Sequence, residues 1–289
     1  MERDASRRQH PNPVSLSVAP CVVALGGSGY RLDDNLRLME WALRETAAEG
    51  CEFQNLAEWD HRTPPLDEGA HRLKAWTHAE KHTADEIAQR IVSADTCVLS
   101  IHANRDVGVN LCSRRNDQIE RGRSLIEESL GLAQAVGAEI CVFHLWDTWR
   151  KSFDVRFLES SLRRAAAAFP EVKASVENVP THLEGETPFT LADRFEWITL
   201  DLHWAALFDE FQRFRACVDR IANVHVRFDA RLSMSNAPAD TKTLEDALRI
   251  LVLNWGYSGP LTFEPLEIEP GTNEELASLL SVLRFATRS

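Results

Sequence analysis

Short apolar runs alternate with amphipathic segments along most of this chain. Apolar runs bounded by turn residues predict buried β-strands, and apolar residues that recur every three or four positions predict helices. On this pattern we predict eight strands, at 22–29, 51–56, 96–102, 139–144, 173–177, 197–201, 223–227 and 260–264. The helices that follow them are predicted at 33–47, 83–93, 117–137, 154–168, 190–195, 207–221, 244–255 and 273–285.

The alternation of strand and helix predicts parallel strands covered by helices, which is an α/β architecture. Eight such units within 289 residues fit a closed (β/α)8 TIM barrel in one domain. An open doubly wound sheet is the alternative, but it gives no reason for ligand-type side chains at the ends of four successive strands. We therefore predict a TIM barrel over residues 20–289 and a flexible N-terminal tail over residues 1–19.

Each of the last four predicted strands carries an acidic residue or a histidine near its end. These residues are Glu177, Asp201, His225 and Glu264. Carboxylates are rarely buried in strands unless they are paired or bind a metal, and the C-terminal strand ends of a TIM barrel surround its active site. Three carboxylates and one imidazole suit a divalent cation such as Mn²⁺, Mg²⁺, Co²⁺ or Zn²⁺. The pattern predicts a metal site at one mouth of the barrel.

Charge and cysteine content narrow the class of partner. The net charge of −12 and the pI near 5.3 argue against affinity for nucleic acid or an anionic membrane. No apolar run approaches the roughly 20 residues that span a bilayer. The six cysteines form no C-x-x-C pair, so we expect reduced thiols and a cytoplasmic location. The sequence leaves open whether the protein forms a homo-oligomer.

The strand-end motifs resemble those of the xylose isomerase-like TIM barrel superfamily. This group contains ketose 3-epimerases, hydroxypyruvate isomerases, inosose dehydratases and metal-dependent AP endonucleases. The residues that carry the resemblance, which spans 21–286, are Val176-Glu177-Asn178, Thr199-Leu200-Asp201-Leu202-His203, Val224-His225-Val226, Thr262-Phe263-Glu264, Ser100-Ile101-His102-Ala103 and Val142-Phe143-His144. The resemblance implies that Glu177, Asp201, His225 and Glu264 hold one divalent ion, and that Glu177 and Glu264 exchange a substrate proton.

Six further side chains are expected at the same mouth because they end or follow predicted strands. They are His102, His144, His203, Arg227, Trp59 and Trp146. Metal ligation and substrate contact both stay open for His102 and His144. Arg227 shares a strand face with His225 and suits a phosphate or carboxylate, and tryptophan faces stack on sugar rings. We predict all six as substrate-binding residues, with metal ligation as the alternative for His102 and His144.

Two departures from the superfamily pattern bear on the reaction. Trp204 stands where the group often has a histidine, with His203 one position earlier. No histidine follows His225, and 229–231 read Asp-Ala-Arg where AP endonucleases need Asp-x-His for a three-metal site. The resemblance therefore implies a one-metal isomerase or epimerase of a sugar or sugar derivative, acting through an enediolate. An AP-endonuclease-like phosphodiesterase and a non-catalytic ligand-binding barrel are the alternatives.

Overall fold

Eight parallel strands close into a barrel in the order of the chain. The structure is a computed structural model that describes residues 12–66, 70–227, 244–265 and 271–286. The strands within these ranges are β1 Val14–Ser17, β2 Gly50–Gln54, β3 Val98–His102, β4 Ile140–Phe143, β5 Lys173–Glu177, β6 Trp197–Asp201, β7 Ile221–Val226 and β8 Leu261–Phe263. Strand β1 pairs with both β2 and β8, which closes the barrel. The predicted single-domain (β/α)8 TIM barrel is confirmed.

Helices cover the outside of the barrel between the strands. They are α1 Val18–Ala24, α2 Leu32–Glu45, α3 Ala70–His78, α4 Ala84–Ser93, α5 Asp106–Leu111, α6 Asn116–Val136, α7 Val155–Ala166, α8 Pro188–Ala192, α9 Leu202–Leu207, α10 Leu244–Arg249 and α11 Asn273–Ala286. In addition, 3-10 segments lie at Ala57–Trp59 and Phe211–Arg220, and a π turn lies at Ile250–Asn254. Within the described ranges, no helix is both long enough and apolar enough to cross a membrane.

Local sequence signals explain where several of these helices begin and end. Thr83 and Glu86 form a reciprocal capping box at the start of α4. The Asp154 carboxylate accepts a hydrogen bond from the backbone N–H of Phe157 and caps α7. Helix α6 ends at Gly137, whose φ of +73° is the left-handed conformation that glycine adopts without strain. These signals agree with the helices predicted from the sequence.

The first strand lies earlier than predicted. Residues 22–24 of the predicted strand 22–29 belong to α1, and the true first strand is Val14–Ser17, inside the predicted tail. Pro20 lies in the first turn of α1, where the missing N–H costs no hydrogen bond, so it does not interrupt the helix. All four residues of β1 are buried. The barrel therefore includes residues that the sequence assigned to a flexible tail.

Polar side chains meet inside the barrel and form a hydrogen-bonded network. Glu52 on β2 accepts hydrogen bonds from Ser100 on β3 (2.8 Å) and from Asn223 on β7 (3.0 Å). Because β2 and β7 are not neighbours in the sheet, the contact between Glu52 and Asn223 crosses the barrel interior. Thr262 donates to Asn223 at 2.9 Å, and the hydroxyls of Ser175 and Thr199 lie 2.7 Å apart. This network lies directly beneath the C-terminal strand ends.

Candidate functional site

The four predicted ligands come together at the C-terminal mouth of the barrel. Glu177 and Asp201 are the last residues of β5 and β6, His225 lies in β7, and Glu264 follows β8. One ligand atom from each residue lies within 4.8 Å of each of the others. Glu177, Asp201 and His225 have no solvent exposure, and the side chain of Glu264 is 16% exposed. This is the arrangement that the four strand ends predicted.

Glu52 orients the imidazole of His225. The Nε2 atom of His225 lies 3.1 Å from the Glu52 carboxylate, so it is the ring nitrogen that donates to the network below. The Nδ1 atom then faces the mouth, 3.5 Å from Glu177 Oε2 and 3.4 Å from Glu264 Oε2. A carboxylate that binds one imidazole nitrogen and turns the other toward a metal is a recurrent feature of metal sites.

The buried charges of this group hold one another ionised. Burial opposes the charge of His225, but Glu52 and Glu177 outweigh it and raise its pKa well above the ordinary value. Burial likewise opposes ionisation of Glu177, but His144 and His225 bring its pKa well below the usual range. Glu52 also has a lowered pKa, because His225 overcomes the cost of burial. At neutral pH both carboxyl groups are therefore anionic.

Asp201 is held from two sides. Its Oδ1 atom accepts hydrogen bonds from the backbone N–H groups of His203 (2.8 Å) and Trp204 (3.2 Å) at the start of α9. Its Oδ2 atom accepts from Arg227 Nε at 2.6 Å. Burial raises the pKa of Asp201 to about 6 against the opposing effect of Arg227. Because this value is still below 7, most of the carboxylate is ionised at neutral pH. Asn178 Oδ1 also accepts the backbone N–H of Asp201 at 2.6 Å, which fixes the strand end.

Three buried atoms of the predicted ligands make no regular hydrogen bond among the described residues, although the two carboxylate oxygens lie within 3.5 Å of Arg227 Nη2. They are Glu177 Oε1, His225 Nδ1 and Glu264 Oε2. A buried polar atom without a hydrogen bond costs about 1–3 kcal/mol. A divalent cation would bind the two carboxylate oxygens directly, and it would bind His225 Nδ1 once that nitrogen has lost its proton. Two carboxylate oxygens and one imidazole nitrogen, with Asp201 beside them, are also a suitable donor set. The residues therefore fit a divalent metal.

Arg227 lies among the same carboxylates. Its Nη2 atom is 2.5 Å from Asp201 Oδ2, 3.0 Å from Glu264 Oε2 and 3.5 Å from Glu177 Oε1. Its guanidinium also lies 5.5 Å from the ring of Trp204. The sequence predicted Arg227 only as a substrate contact. Because Arg227 lies two residues after His225, the sequence placed it on the correct strand face. The sequence did not predict that its guanidinium would contact the carboxylates of the proposed ligands.

His102 and His144 contact Glu177 from the other side. The Nε2 atom of His144 lies 2.9 Å from Glu177 Oε2, and that of His102 lies 3.5 Å from the same oxygen. Burial lowers the pKa of His144 despite Glu177, whereas the hydrogen bond with Glu177 and the charge of Glu52 raise the pKa of His102 in spite of its burial. His102, His144 and Glu177 form a second group with the spacing of metal ligands.

A cavity of about 750 Å³ opens above the ligands. Its wall includes polar and aromatic side chains from the strand ends and the segments that follow them: Tyr30, Gln54, Asn55, His102, Arg105, His144, Trp149, His182, Trp204, Arg227 and Glu264. Of the six side chains predicted to contact substrate, His102, His144 and Arg227 line this cavity. Trp149 and Trp204 supply its indole surfaces. The cavity has the size and lining of a small-molecule site.

The other three predicted contacts take different positions. Trp59 and Trp146 are 1% and 2% exposed and lie outside the described cavity wall, so the direct substrate contact predicted for them is not supported. Their indole N–H groups donate to the backbone oxygens of Tyr30 and Pro180, and thus hold two loops that line the cavity. His203 contributes its backbone N–H to Asp201, and its ring packs against Trp204 instead of entering the described wall.

Glu52 is a functional candidate that the sequence prediction missed. Its signal was present, since a carboxylate inside the apolar strand Cys51-Glu52-Phe53 is as unusual as the three carboxylates at the strand ends.

Comparison with known proteins places the fold in a group. No protein-family sequence model and no curated protein matches this chain in sequence. A D-allulose 3-epimerase from Methylomonas sp. in complex with D-allulose matches in structure with a TM-score of 0.63 at 12% identity, over 96% of this chain and 94% of that one. The chain has the fold of the xylose isomerase-like TIM barrels. The predicted resemblance is thereby confirmed at the level of the fold.

Two further solved structures share this fold. A xylose isomerase domain protein from Planctomyces limnophilus has a TM-score of 0.54 at 15% identity, over 96% of each chain. The IOLI protein with a bound zinc atom has a TM-score of 0.60 at 14% identity, over 95% of this chain and 98% of that one. All three matches cover nearly the whole of both chains, so the similarity extends along the chain and is not confined to one part of it.

Proposed function

We propose that this protein is a divalent-metal-dependent isomerase or epimerase of a sugar or sugar derivative. The observation that carries the proposal is the convergence of Glu177, Asp201, His225 and Glu264 beneath the cavity, where one potential ligand atom from each lies within 4.8 Å of the others. The D-allulose complex and the zinc-bound structure with the same fold support a sugar ligand and a metal ion, respectively. The proposed location is cytoplasmic.

Glu177, Asp201, His225 and Glu264 would hold the ion. When bound, a divalent cation would polarise the carbonyl and hydroxyl oxygens of the sugar and make the neighbouring C–H more acidic. Glu264 lines the cavity and would exchange that proton directly on one face of the substrate carbon. The resulting enediolate of the sugar would be reprotonated at the same carbon from the opposite face for epimerisation, or at the neighbouring carbonyl carbon for isomerisation.

Glu177 is the proposed partner of Glu264 in proton exchange. It has no exposure, but its Oε2 lies 2.9 Å from His144, which lines the cavity and has a lowered pKa. His144 therefore connects Glu177 with the substrate space. Arg227 and His102, which also line the cavity, would bind substrate oxygens, and Trp149 and Trp204 would pack on the carbon face of the sugar.

Exchange of substrate hydrogen with solvent tests the proposal. The protein is incubated with Mn²⁺ and a panel of ketoses, aldoses and their phosphates in deuterated water, and incorporation at each carbon is read by NMR. We expect one substrate class to acquire deuterium next to its carbonyl, and Glu264→Gln to slow this by roughly 10²–10⁴-fold. Glu45→Gln, a surface carboxylate 52% exposed, serves as the matched control. Metal-loaded protein that labels no sugar would overturn the proposal.

One observation favours a second candidate, an AP-endonuclease-like phosphodiesterase. His102, His144 and Glu177 form a second potential ligand group that shares Glu177 with the first. Residues 229–231, where the sequence departs from the endonuclease pattern, lie outside the described residues. Metal analysis separates the candidates, because one ion per chain fits the isomerase and two or three fit the phosphodiesterase. Cleavage of an abasic oligonucleotide would favour the second candidate, whereas metal-free protein would favour the ligand-binding barrel.

A further inference from the structure

Arg227 occupies the place where a metal would meet two of its carboxylates. Its side chain is 12% exposed, and Nη2 lies 2.5 Å from Asp201 Oδ2 and 3.0 Å from Glu264 Oε2. The Nε atom adds a second contact with Asp201 Oδ2 at 2.6 Å. One guanidinium thus contacts two of the four proposed ligands closely, and Glu177 Oε1 lies 3.5 Å from the same nitrogen.

A divalent cation and this guanidinium cannot both contact the same oxygens of Asp201 and Glu264. Oxygen ligands lie about 2.0–2.6 Å from a divalent ion, so an ion bound to Asp201 Oδ2 and Glu264 Oε2 would come within van der Waals contact of Nη2. The other oxygen of Asp201 is already used by the backbone N–H groups of His203 and Trp204. The ion therefore cannot take a different Asp201 oxygen without breaking the start of α9. Charge repulsion adds to the steric conflict.

We propose that Arg227 is an internal cation that competes with the divalent metal for Asp201 and Glu264. On metal binding the guanidinium leaves Asp201 Oδ2 and Glu264 Oε2 and enters the cavity, whose wall already includes Arg227. The flat ring of Trp204, 5.5 Å away, provides a surface on which it can remain. This inference rests on the proposed metal site and adds a role for Arg227 in setting its affinity. The same residue balances the carboxylate charges before the metal binds.

The test measures metal affinity without any substrate. Mn²⁺ is titrated by calorimetry into full-length, chelator-treated wild type and Arg227→Gln, and the Mn²⁺ electron paramagnetic resonance signal gives the free ion independently. We expect Arg227→Gln to bind Mn²⁺ more tightly by on the order of 10-fold or more, because the ion no longer displaces a guanidinium. Arg105→Gln is the matched control, since Arg105 lines the same cavity but is 54% exposed and lies 3.9 Å from Glu58. We expect this control to stay close to wild type.

Thermal unfolding gives a second readout. In chelator, Arg227→Gln should unfold at a lower temperature than wild type, because three carboxylates lose their counter-charge. Mn²⁺ should raise the unfolding midpoint of the variant by more than it raises that of wild type. If Arg227→Gln fails to fold, Arg227→Lys replaces it, with an expected affinity between those of wild type and the glutamine variant, because an ammonium cannot make the paired contacts. Equal or weaker Mn²⁺ binding by the variants would overturn this inference alone. Absence of binding in wild type and variants would overturn the proposed metal site with it.

Discussion

His225 Nε2 lies 3.1 Å from Glu52 Oε2, although the two residues are separated by 173 positions and belong to strands that are not neighbours. Neither side chain has any solvent exposure. Glu52 is itself held by Ser100 and Asn223, so the carboxylate cannot turn away from the imidazole. The direction of the His225 ring, and with it the position of Nδ1 at the mouth, depends on this contact.

Glu52→Gln should therefore weaken metal binding without removing any ligand. The amide cannot hold the imidazole as strongly as a carboxylate, and loss of such a partner lowers metal affinity by roughly 10–100-fold. Calorimetric titration with Mn²⁺ at constant pH measures the change. Ser100→Ala, which removes one hydrogen bond to Glu52, should give a smaller decrease. Unchanged affinity in Glu52→Gln would mean that packing alone fixes the ring.

The chain pattern predicted seven of the eight strands but misplaced the first. Strand β1 reads Val-Ser-Leu-Ser, and its short polar residues look like a turn when the neighbouring run Val22-Val23-Ala24-Leu25 is strongly apolar. Inside the barrel a polar residue of β1 makes a hydrogen bond, because Ser17 Oγ donates to Glu52 Oε1 at 3.4 Å. A polar barrel interior reverses the usual relation between burial and hydropathy, and the sequence alone did not show that the interior was polar.

The convergence of the four proposed ligands was predictable because each lies at or next to the end of its own strand, and a closed barrel brings strand ends together. The contacts of Arg227 and Glu52 were not predictable in the same way. They depend on which side chains reach across the barrel mouth, as Arg227 does, or across the interior, as Glu52 does. The spacing of residues along the chain does not give the distance between side chains on opposite strands. Trp59 and Trp146 show the same limit, since a position after a strand does not say whether the indole faces the cavity or the helices.

Trp149 and Trp146 lie three residues apart, but alanine substitution should affect sugar binding at the first and stability at the second. Trp149 is 70% exposed and lines the cavity, so Trp149→Ala should weaken sugar binding while the free energy of unfolding changes by less than about 0.5 kcal/mol. Trp146 is 2% exposed and donates to the Pro180 carbonyl, so Trp146→Ala should cost about 3–5 kcal/mol of stability. Urea denaturation and sugar titration measure the two effects. A Trp149→Ala variant that binds sugar as wild type does would contradict the cavity assignment.

The cysteines should differ in their rate of alkylation. Burial raises the pKa of Cys112 to about 12 and that of Cys217 to about 11, so only a small fraction of either is thiolate at pH 8. Cys97 is half-buried and should react first with iodoacetamide. Because the thiolate fraction rises with pH up to the pKa, raising the pH from 8 to 9 should speed Cys217 about tenfold if the fold is unchanged. Peptide mass spectrometry follows each site, with urea-unfolded protein as the control in which all should react alike.

Two glycines of helix α6 should give stability changes of opposite sign when each is replaced by alanine. At Gly122 an added Cβ would lie 2.9 Å from Leu111 Cγ and 3.0 Å from the Leu111 backbone nitrogen, so α5 and α6 would have to separate. Gly122→Ala should therefore cost about 1–3 kcal/mol. At Gly131 the same atom would make ordinary contact with Phe169 at 3.8 Å.

Gly131→Ala should instead stabilise the protein by about 0.5–1 kcal/mol, because alanine loses less backbone entropy than glycine on entering a helix. Urea midpoints of the two variants and wild type, measured under identical conditions, test both signs at once. The helix propensity gained is the same at both positions, so the difference between the variants isolates the close approach of α5 to α6. Two variants of equal stability would show that Leu111 can move away from an added methyl group at little cost.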